Sequence, residues 1–343
     1  MSRILTVDIG NSNIVVGSFN GDQLENTGRI VTRRDYTTEK IVSEIAALLS
    51  GWQQAAEHTK DTCTGDKCSN DESLSVCEKQ DTGDSKPYDG SILASVVPEI
   101  TDVTLDALEK IVGKRPLLMG PFLRTGVDIS RYKEGAIGMD RIVDMAAAVS
   151  LYGAPVMVCD LGTCTTITVA DACADNLCDA DEESEKASAG LSDCSEEGKC
   201  KGKIIGGMIC PGIQLSLDAE ASRASQLPQL SAGKVDSLLG LDTASNMMSG
   251  VVAGTGMMIA ELARRLAANA FANQDFNKED NSLESKRNLK VVVTGGLGRL
   301  VIPWIENKDI HEGKDTTTDF EVHYEPDLLL YGLKYIYDLN SDN

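Results

Sequence analysis

The chain is expected to be an α/β protein assembled from two similar halves. Three observations predict this. Short β-branched runs bounded by Gly or Pro alternate with amphipathic helical stretches. A strand that ends in Asp-x-Gly occurs twice, at Asp8 and at Asp160. The 343 residues, 42% of them hydrophobic, suffice for two buried cores of ordinary size. In chain order, strands are expected over 4–7, 15–19, 92–97, 156–160, 165–169, 204–209 and 291–294, and helices over 39–49, 103–112, 141–151 and 247–270. The divide falls between 137 and 138, giving an N-terminal domain over 1–137 and a C-terminal domain over 138–343 that face each other across a cleft.

Two segments, 57–90 and 171–203, replace apolar periodicity with Ser, Asp, Glu, Gly, Lys and Cys and read as surface insertions. The first holds nine acidic against four basic residues and the second ten against four, so together they supply -11 of the net charge of -21. The acidity is therefore mostly a property of the insertions. Two further polar stretches, about 273–289 and 307–319, read as shorter solvated loops.

Such a charge opposes binding to a polyanion, and the clustered Lys/Arg footprint of a nucleic-acid protein is missing. No run reaches the roughly 18 apolar residues of a membrane helix, and the opening MSRILTVDIG turns polar too soon for a secretory signal, so a cytoplasmic protein is expected. Ten cysteines are too few for a disulfide scaffold. With histidine only at 58, 311 and 323, acid–base chemistry falls to carboxylates.

The first motif runs Val7-Asp8-Ile9-Gly10-Asn11-Ser12-Asn13, where a strand meets a tight turn. Glycine lets backbone approach a phosphate, Asn and Ser donate to phosphoryl oxygens, and Asp8 can hold a phosphate-bound Mg²⁺ through water. The second, Asp160-Leu161-Gly162-Thr163-Cys164-Thr165, repeats the arrangement. Two such turns suit a triphosphate, whose transfer depends on positioning and charge neutralisation. In the third, Gly138-Met139-Asp140-Arg141, Asp140 opens a helix. It reads either as a first-turn acid favoured by the helix dipole or as the base for a substrate hydroxyl, with Arg141 holding an anion bidentately. Gly206-Gly207-Met208-Ile209-Cys210-Pro211-Gly212 and Thr294-Gly295-Gly296 each end a strand in glycines, and either is weak alone.

In order, DIGNSN, ASVVPEI, GPFLRTGVDI, GMDR, DLGTCTT, GGMICPGI, SRASQLP, TGGLGRL and EPDLLLYGL resemble the type III pantothenate kinase family from end to end outside the insertions. The resemblance implies two actin-like, ribonuclease H-like domains and ATP-dependent phosphorylation of pantothenate. It implies that Asp8, Ile9, Gly10, Asn11, Ser12, Asn13, Ile14 and Val15 form the ATP phosphate loop, that Thr163 contacts ATP, and that Asp140 is the general base. Gly138, Met139, Asp140 and Arg141 would contact pantothenate together with Tyr132 and Thr243, while Asp160 would bind potassium or ammonium. A homodimer is implied too, with helix 247–268 either at the interface or buried in its own core. This sequence departs from the family pattern at Ser12, Met139, Cys164 and Cys210, and in a Tyr132-to-Gly138 spacing one residue short. The alternatives are a same-fold kinase with another acceptor and a non-catalytic accessory regulator, to which the retained Asp8, Asp140 and Asp160 are opposed.

Seven of the cysteines fall in the insertions: Cys63, Cys68 and Cys77 near His58, then Cys173, Cys178, Cys194 and Cys200. A metal site, a redox role and plain solvated loops stand as three readings, and the absence of a Cys-x2-Cys knuckle weighs against zinc.

Overall fold

A computed structural model describes residues 2–61, 88–133, 135–173, 200–268, 288–306 and 320–341. They divide into two compact units, Met1–Met119 and Gly120–Asn343, whereas the sequence expectation places the divide at 137/138. No helix among the described residues is long and apolar enough to cross a membrane.

The first unit is a sheet with helices. Its elements are β1 (Arg3–Ile9), β2 (Asn13–Asn20), β3 (Gln23–Val31), α1 (Thr38–Asp61), β4 (Gly90–Ser95), α2 (Pro98–Val112) and β5 (Leu117–Leu118). The sheet order is β3-β2-β1-β4-β5. The first three strands form an antiparallel meander, and β4 and β5 continue parallel to β1. Leu5, Val7, Ile9, Ile14, Val16 and Leu93 from the strands meet Ile41, Ile45, Ile100 and Leu108 from the two helices in one core. α2 starts on Pro98 and ends at Gly113, whose left-handed φ of 77° lets its N–H cap the Glu109 carbonyl. α1 runs well past the expected end at 49, carried through Gly51 by the helix formers Gln, Gln, Ala, Ala and Glu at 53–57 and by Trp52, which still packs on the core. β3 was not expected: it is an edge strand with alternating exposure, so half its residues are polar.

The second unit contains β6 (Val127–Asp128), α3 (Met139–Leu151), β7 (Val156–Leu161), β8 (Cys164–Asp171), β9 (Gly202–Pro211), α4 (Ile213–Arg223), α5 (Thr243–Met248), α6 (Gly254–Ala268), β10 (Leu289–Thr294), α7 (Gly298–Ile305), β11 (Phe320–Tyr324) and α8 (Leu328–Ser341). Its sheet order is β11-β10-β7-β8-β9-β6. β7, β8 and β9 repeat the antiparallel meander, and β10 and β11 run parallel to β7. The five strands of the first unit therefore recur in order and direction, with β6 added parallel to β9. The twofold module expected from the sequence is a repeat of sheet topology.

The expected helix over 247–270 resolves into α5, a π-helical turn Ser249–Ala253 and α6. Its small-residue face is buried within its own unit, where Gly256, Ile259, Ala260 and Ala263 pack beside the β7 and β10 core. Of the insertions, Cys63, Cys68, Cys77, Cys178 and Cys194 lie outside the described residues, as do both shorter polar loops over most of their length. Cys173 and Cys200 lie at the rim of the second insertion, just beyond the paired ends of β8 and β9.

Candidate active site

Residues 8–15 belong to the first unit. Asp8 and Ile9 end β1, Gly10, Asn11 and Ser12 make the turn, and Asn13, Ile14 and Val15 begin β2. The Ile9 and Ile14 side chains are fully buried, so these two positions offer a ligand only backbone. Asn11 and Ser12 are exposed. The turn closes through Gly10 N–H donating to Asn13 O at 3.0 Å. Thr32, just past β3, pins it twice: its hydroxyl donates to Gly10 O at 2.7 Å and its N–H to Ser12 O at 3.0 Å. Sequence reasoning missed Thr32, since β3 itself was missed.

The equivalent place in the second unit is the β7–β8 turn, Gly162-Thr163, with Asp160 one residue before the end of β7. Gly162 N–H donates to Cys164 O at 3.2 Å, and Thr163 is exposed. Asp160 pairs across the sheet with Thr294 at the end of β10, which delivers Gly295 against it. At Gly295 φ is 83°, and a methyl there would run into the Asp160 carboxylate and the Leu161 backbone. Only glycine suits both demands.

Asp140 comes from the first turn of α3, whose N-cap is Gly138. The Asp140 carboxylate folds back over Gly138, where a side chain would meet its Oδ1. Burial, reinforced by the Asp140 charge, pushes the Asp160 carboxyl up to about 6. Two acids from elements far apart in sequence are thus brought within electrostatic range. Neither holds a cation in an ion pair among the described residues. Such a pair has the donor chemistry of a cation site.

Beside them Arg141 is buried, with 9% of its surface exposed. Its Nε donates to Thr168 Oγ1 at 2.9 Å and its Nη2 to Ile167 O at 3.2 Å. No carboxylate lies within ion-pair distance of it among the described residues. A buried guanidinium left without an anion is costly unless a ligand supplies one. A methyl at Gly207, on β9, would collide with Arg141 Nη2 and Ile167 O, which gives the first glycine pair of the fourth motif a physical purpose.

Tyr132 and Gly138 lie on the segment that joins β6 to α3. That segment is latched to β9. Lys203 Nζ lies 3.0 Å from Asp128 Oδ2 and donates to Ser130 Oγ at 3.1 Å, and Arg131 Nη1 donates to Ile205 O at 3.2 Å. Burial alone would raise Asp128, but the Ser130 and Lys203 donors hold it below the usual carboxylate range. Sequence reasoning missed Lys203, Asp128 and Arg131, which no motif marks. Thr243 opens α5 behind the Asp242 cap, whose carboxylate accepts from Ser245 N–H at 2.9 Å. Among the described residues no hydrogen bond ties Tyr132 or Thr243 to Asp140, Arg141 or Asp160.

The family model described as type III pantothenate kinase matches residues 4–60, 46–176 and 199–265. A type III pantothenate kinase from Agathobacter rectalis is 29% identical over 334 residues, covering 97% of this chain and 96% of its own. One from Shouchella clausii is 31% identical over 339 residues, covering 98% and 100%. Among solved structures, a ROK hexokinase from Thermus thermophilus covers 99% of this chain and 100% of its own at 12% identity and a TM-score of 0.40, a likeness too loose to carry an argument. On the strength of the family model and the end-to-end relatives, the chain belongs to the type III pantothenate kinase family.

Proposed function

We propose that this chain transfers the γ-phosphoryl group of ATP to the primary hydroxyl of pantothenate, yielding 4'-phosphopantothenate and ADP at the start of coenzyme A synthesis. The observation that carries the reading is a buried Arg141, with no carboxylate partner among the described residues, beside the Asp140–Asp160 pair in a chain of this family. Pantothenate brings both a carboxylate and a hydroxyl. The carboxylate meets Arg141, which uses two of its donors on Thr168 and Ile167 and keeps others for a ligand. The hydroxyl gives its proton to Asp140 as its oxygen attacks the γ-phosphorus. Gly138, Met139, Tyr132 and Thr243 complete the pantothenate contacts, and Asp8 through Val15 with Thr163 take the ATP phosphates.

Little covalent help is needed for phosphoryl transfer, so acids, hydroxyls and backbone N–H groups are adequate. Asp8 suits Mg²⁺ held through water, and Asp160, whose carboxylate has no cation partner among the described residues, suits potassium or ammonium. When bound, these cations offset phosphate charge. A homodimer accords with the exposed leucines ahead of α5, Leu238 at 48%, Leu239 at 78% and Leu241 at 99%, and sedimentation at the monomer mass would oppose it. The acidic surface and the family accord with a cytoplasmic enzyme.

The test is ADP release from Mg-ATP with and without pantothenate, in potassium and in sodium, for the native chain and Asp140→Asn. Pantothenate-dependent, potassium-dependent release that collapses in a folded Asp140→Asn variant is the expected result. Native protein that releases no ADP on adding pantothenate would overturn the reading.

A further inference from the structure

Arg141 is fixed in place without losing its charge. β8 sets Thr168 directly across from Gly207 of β9, so the two positions share one face of the sheet. The guanidinium lies over that pair. Its Nε donates to the Thr168 hydroxyl at 2.9 Å and its Nη2 to the Ile167 carbonyl at 3.2 Å, and the room that Nη2 occupies exists because residue 207 has no side chain. Thr168 is 2% exposed, so the anchor is walled off from water.

Two of the guanidinium N–H groups are used in this way among the described residues, and both on Nη1 and the second on Nη2 remain. They include the end-on fork that grips a carboxylate through two parallel bonds. Both anchors are neutral. A carboxylate at 168 would orient the same fork and also cancel its charge, whereas a hydroxyl and a carbonyl orient it and leave the charge whole. The duplicated sheet does not impose this arrangement. Two residues beyond the partner of Asp8 stands Gly17, paired with Thr27, and two beyond the partner of Asp160 stands Thr168, paired with Gly207. The hydroxyl and the glycine have exchanged strands between the two units. The seat belongs to the unit in which α3 delivers an arginine.

We propose that Thr168, across from Gly207, is the positioning residue that makes the site select an anionic acceptor. It orients Arg141 without neutralising it, and the carboxylate of the acceptor becomes the counterion. Naming that acceptor as pantothenate rests on the function proposed above.

The experiment titrates two acceptors into the full chain by calorimetry with Mg-ADP present: pantothenate, and the neutral alcohol in which CH₂OH replaces its carboxylate. The native chain should bind pantothenate roughly tenfold or more tighter than the alcohol. Thr168→Asp, whose carboxylate pairs with Arg141 internally, should remove most of that preference. Thr168→Val, which keeps the shape and loses the hydroxyl, should weaken pantothenate by about two- to tenfold and leave the alcohol alone, and Thr168→Ser should restore native binding. A loss shared equally by both acceptors would mark Thr168 as merely structural and overturn the proposal. So would an undiminished preference in Thr168→Asp, or a native chain that binds the two acceptors alike. If Thr168→Asp does not melt cooperatively, Thr168→Val and Thr168→Ser decide. ADP release is read separately. A preference that depends on Thr168 in a chain that does not turn pantothenate over would fail the kinase reading and leave the seat standing. Turnover of pantothenate with a KM that neither Thr168→Asp nor Thr168→Val moves would do the reverse, and a native chain that binds neither acceptor would overturn both.

Discussion

The β1–β2 turn and the β7–β8 turn are the same piece of backbone used for different electrostatics. Each follows a strand carrying an aspartate, Asp8 or Asp160, and each closes through a glycine N–H, Gly10 or Gly162. The first is braced by a hydroxyl and an amide from Thr32 and exposes Asn11 and Ser12. The second is crowded by Gly295 and faces a second acid, Asp140, so that Asp160 titrates near 6. The elements that make the difference, β6 and α3, precede the repeated strands in the second unit and have no counterpart in the first. A duplicated sheet therefore fixes where an acid stands, and what is added to it decides whether that acid is shared with another.

Variants that separate the two turns test this contrast. The largest effect belongs to Asp140→Asn, which should lower kcat by about 10²–10⁴-fold with little change in the KM for ATP, read from steady-state ADP release. If ATP binding weakens in proportion, the two turns are not divided as described.

Asp160→Asn comes next and has opposite signs in two assays. The folded-state pKa of Asp160 stands above its ordinary 3.8. The folded state therefore binds more protons between that value and about 6, and its stability falls as pH rises through this window. Above it the native chain bears the whole cost of the buried charge, at most a few kcal/mol. In buffer without potassium or ammonium, Asp160→Asn should melt higher than the native chain at pH 7.5, lose that advantage near pH 3.8, and have lost its kinase activity. Equal melting at both pH values would show that the acid pair is not strained.

Thr32→Val removes the hydroxyl bond to Gly10. It should raise the KM for ATP several-fold, the worth of about one hydrogen bond, and leave the KM for pantothenate alone. Smallest is Lys203→Met, which unlatches the segment bearing Tyr132 and Gly138. This partly exposed pair contributes roughly 0–1 kcal/mol to folding, so the melting temperature should hardly move while the KM for pantothenate rises about two- to fivefold, with recovery in Lys203→Arg. A rise in the KM for ATP instead would break the division of labour.

How much of this was legible in the sequence varied with burial. β1, β2, β4, β7, β8 and β10 were expected because strands buried over most of their length read as apolar runs, and β9, more exposed, because its Ile204–Ile209 stretch is β-branched and bounded by glycines. β3 and β11 were not, since edge strands keep polar residues on their open side, and the five residues of β11 follow a long polar stretch. Pro211-Gly212 marked the start of α4, but its extent was not legible, since only Ile213 and Leu217 are buried, too few for a visible stripe. At the site, the aspartates and glycines stood out by position, but the fate of Arg141 did not, because its partner carbonyl lies 26 residues away on β8.

By itself the sequence determined the α/β class, the doubled strand-acid-glycine unit and the family likeness, because hydrophobic spacing and turn residues are local properties written in consecutive positions. Only the tertiary structure decided which charges are neutralised. Asp140 comes within electrostatic range of Asp160, and Arg141 meets a hydroxyl and a carbonyl instead of an acid. Those outcomes depend on distances between segments that the chain brings together only when it folds, and electrostatic energy follows distance and burial, neither of which is a property of sequence order.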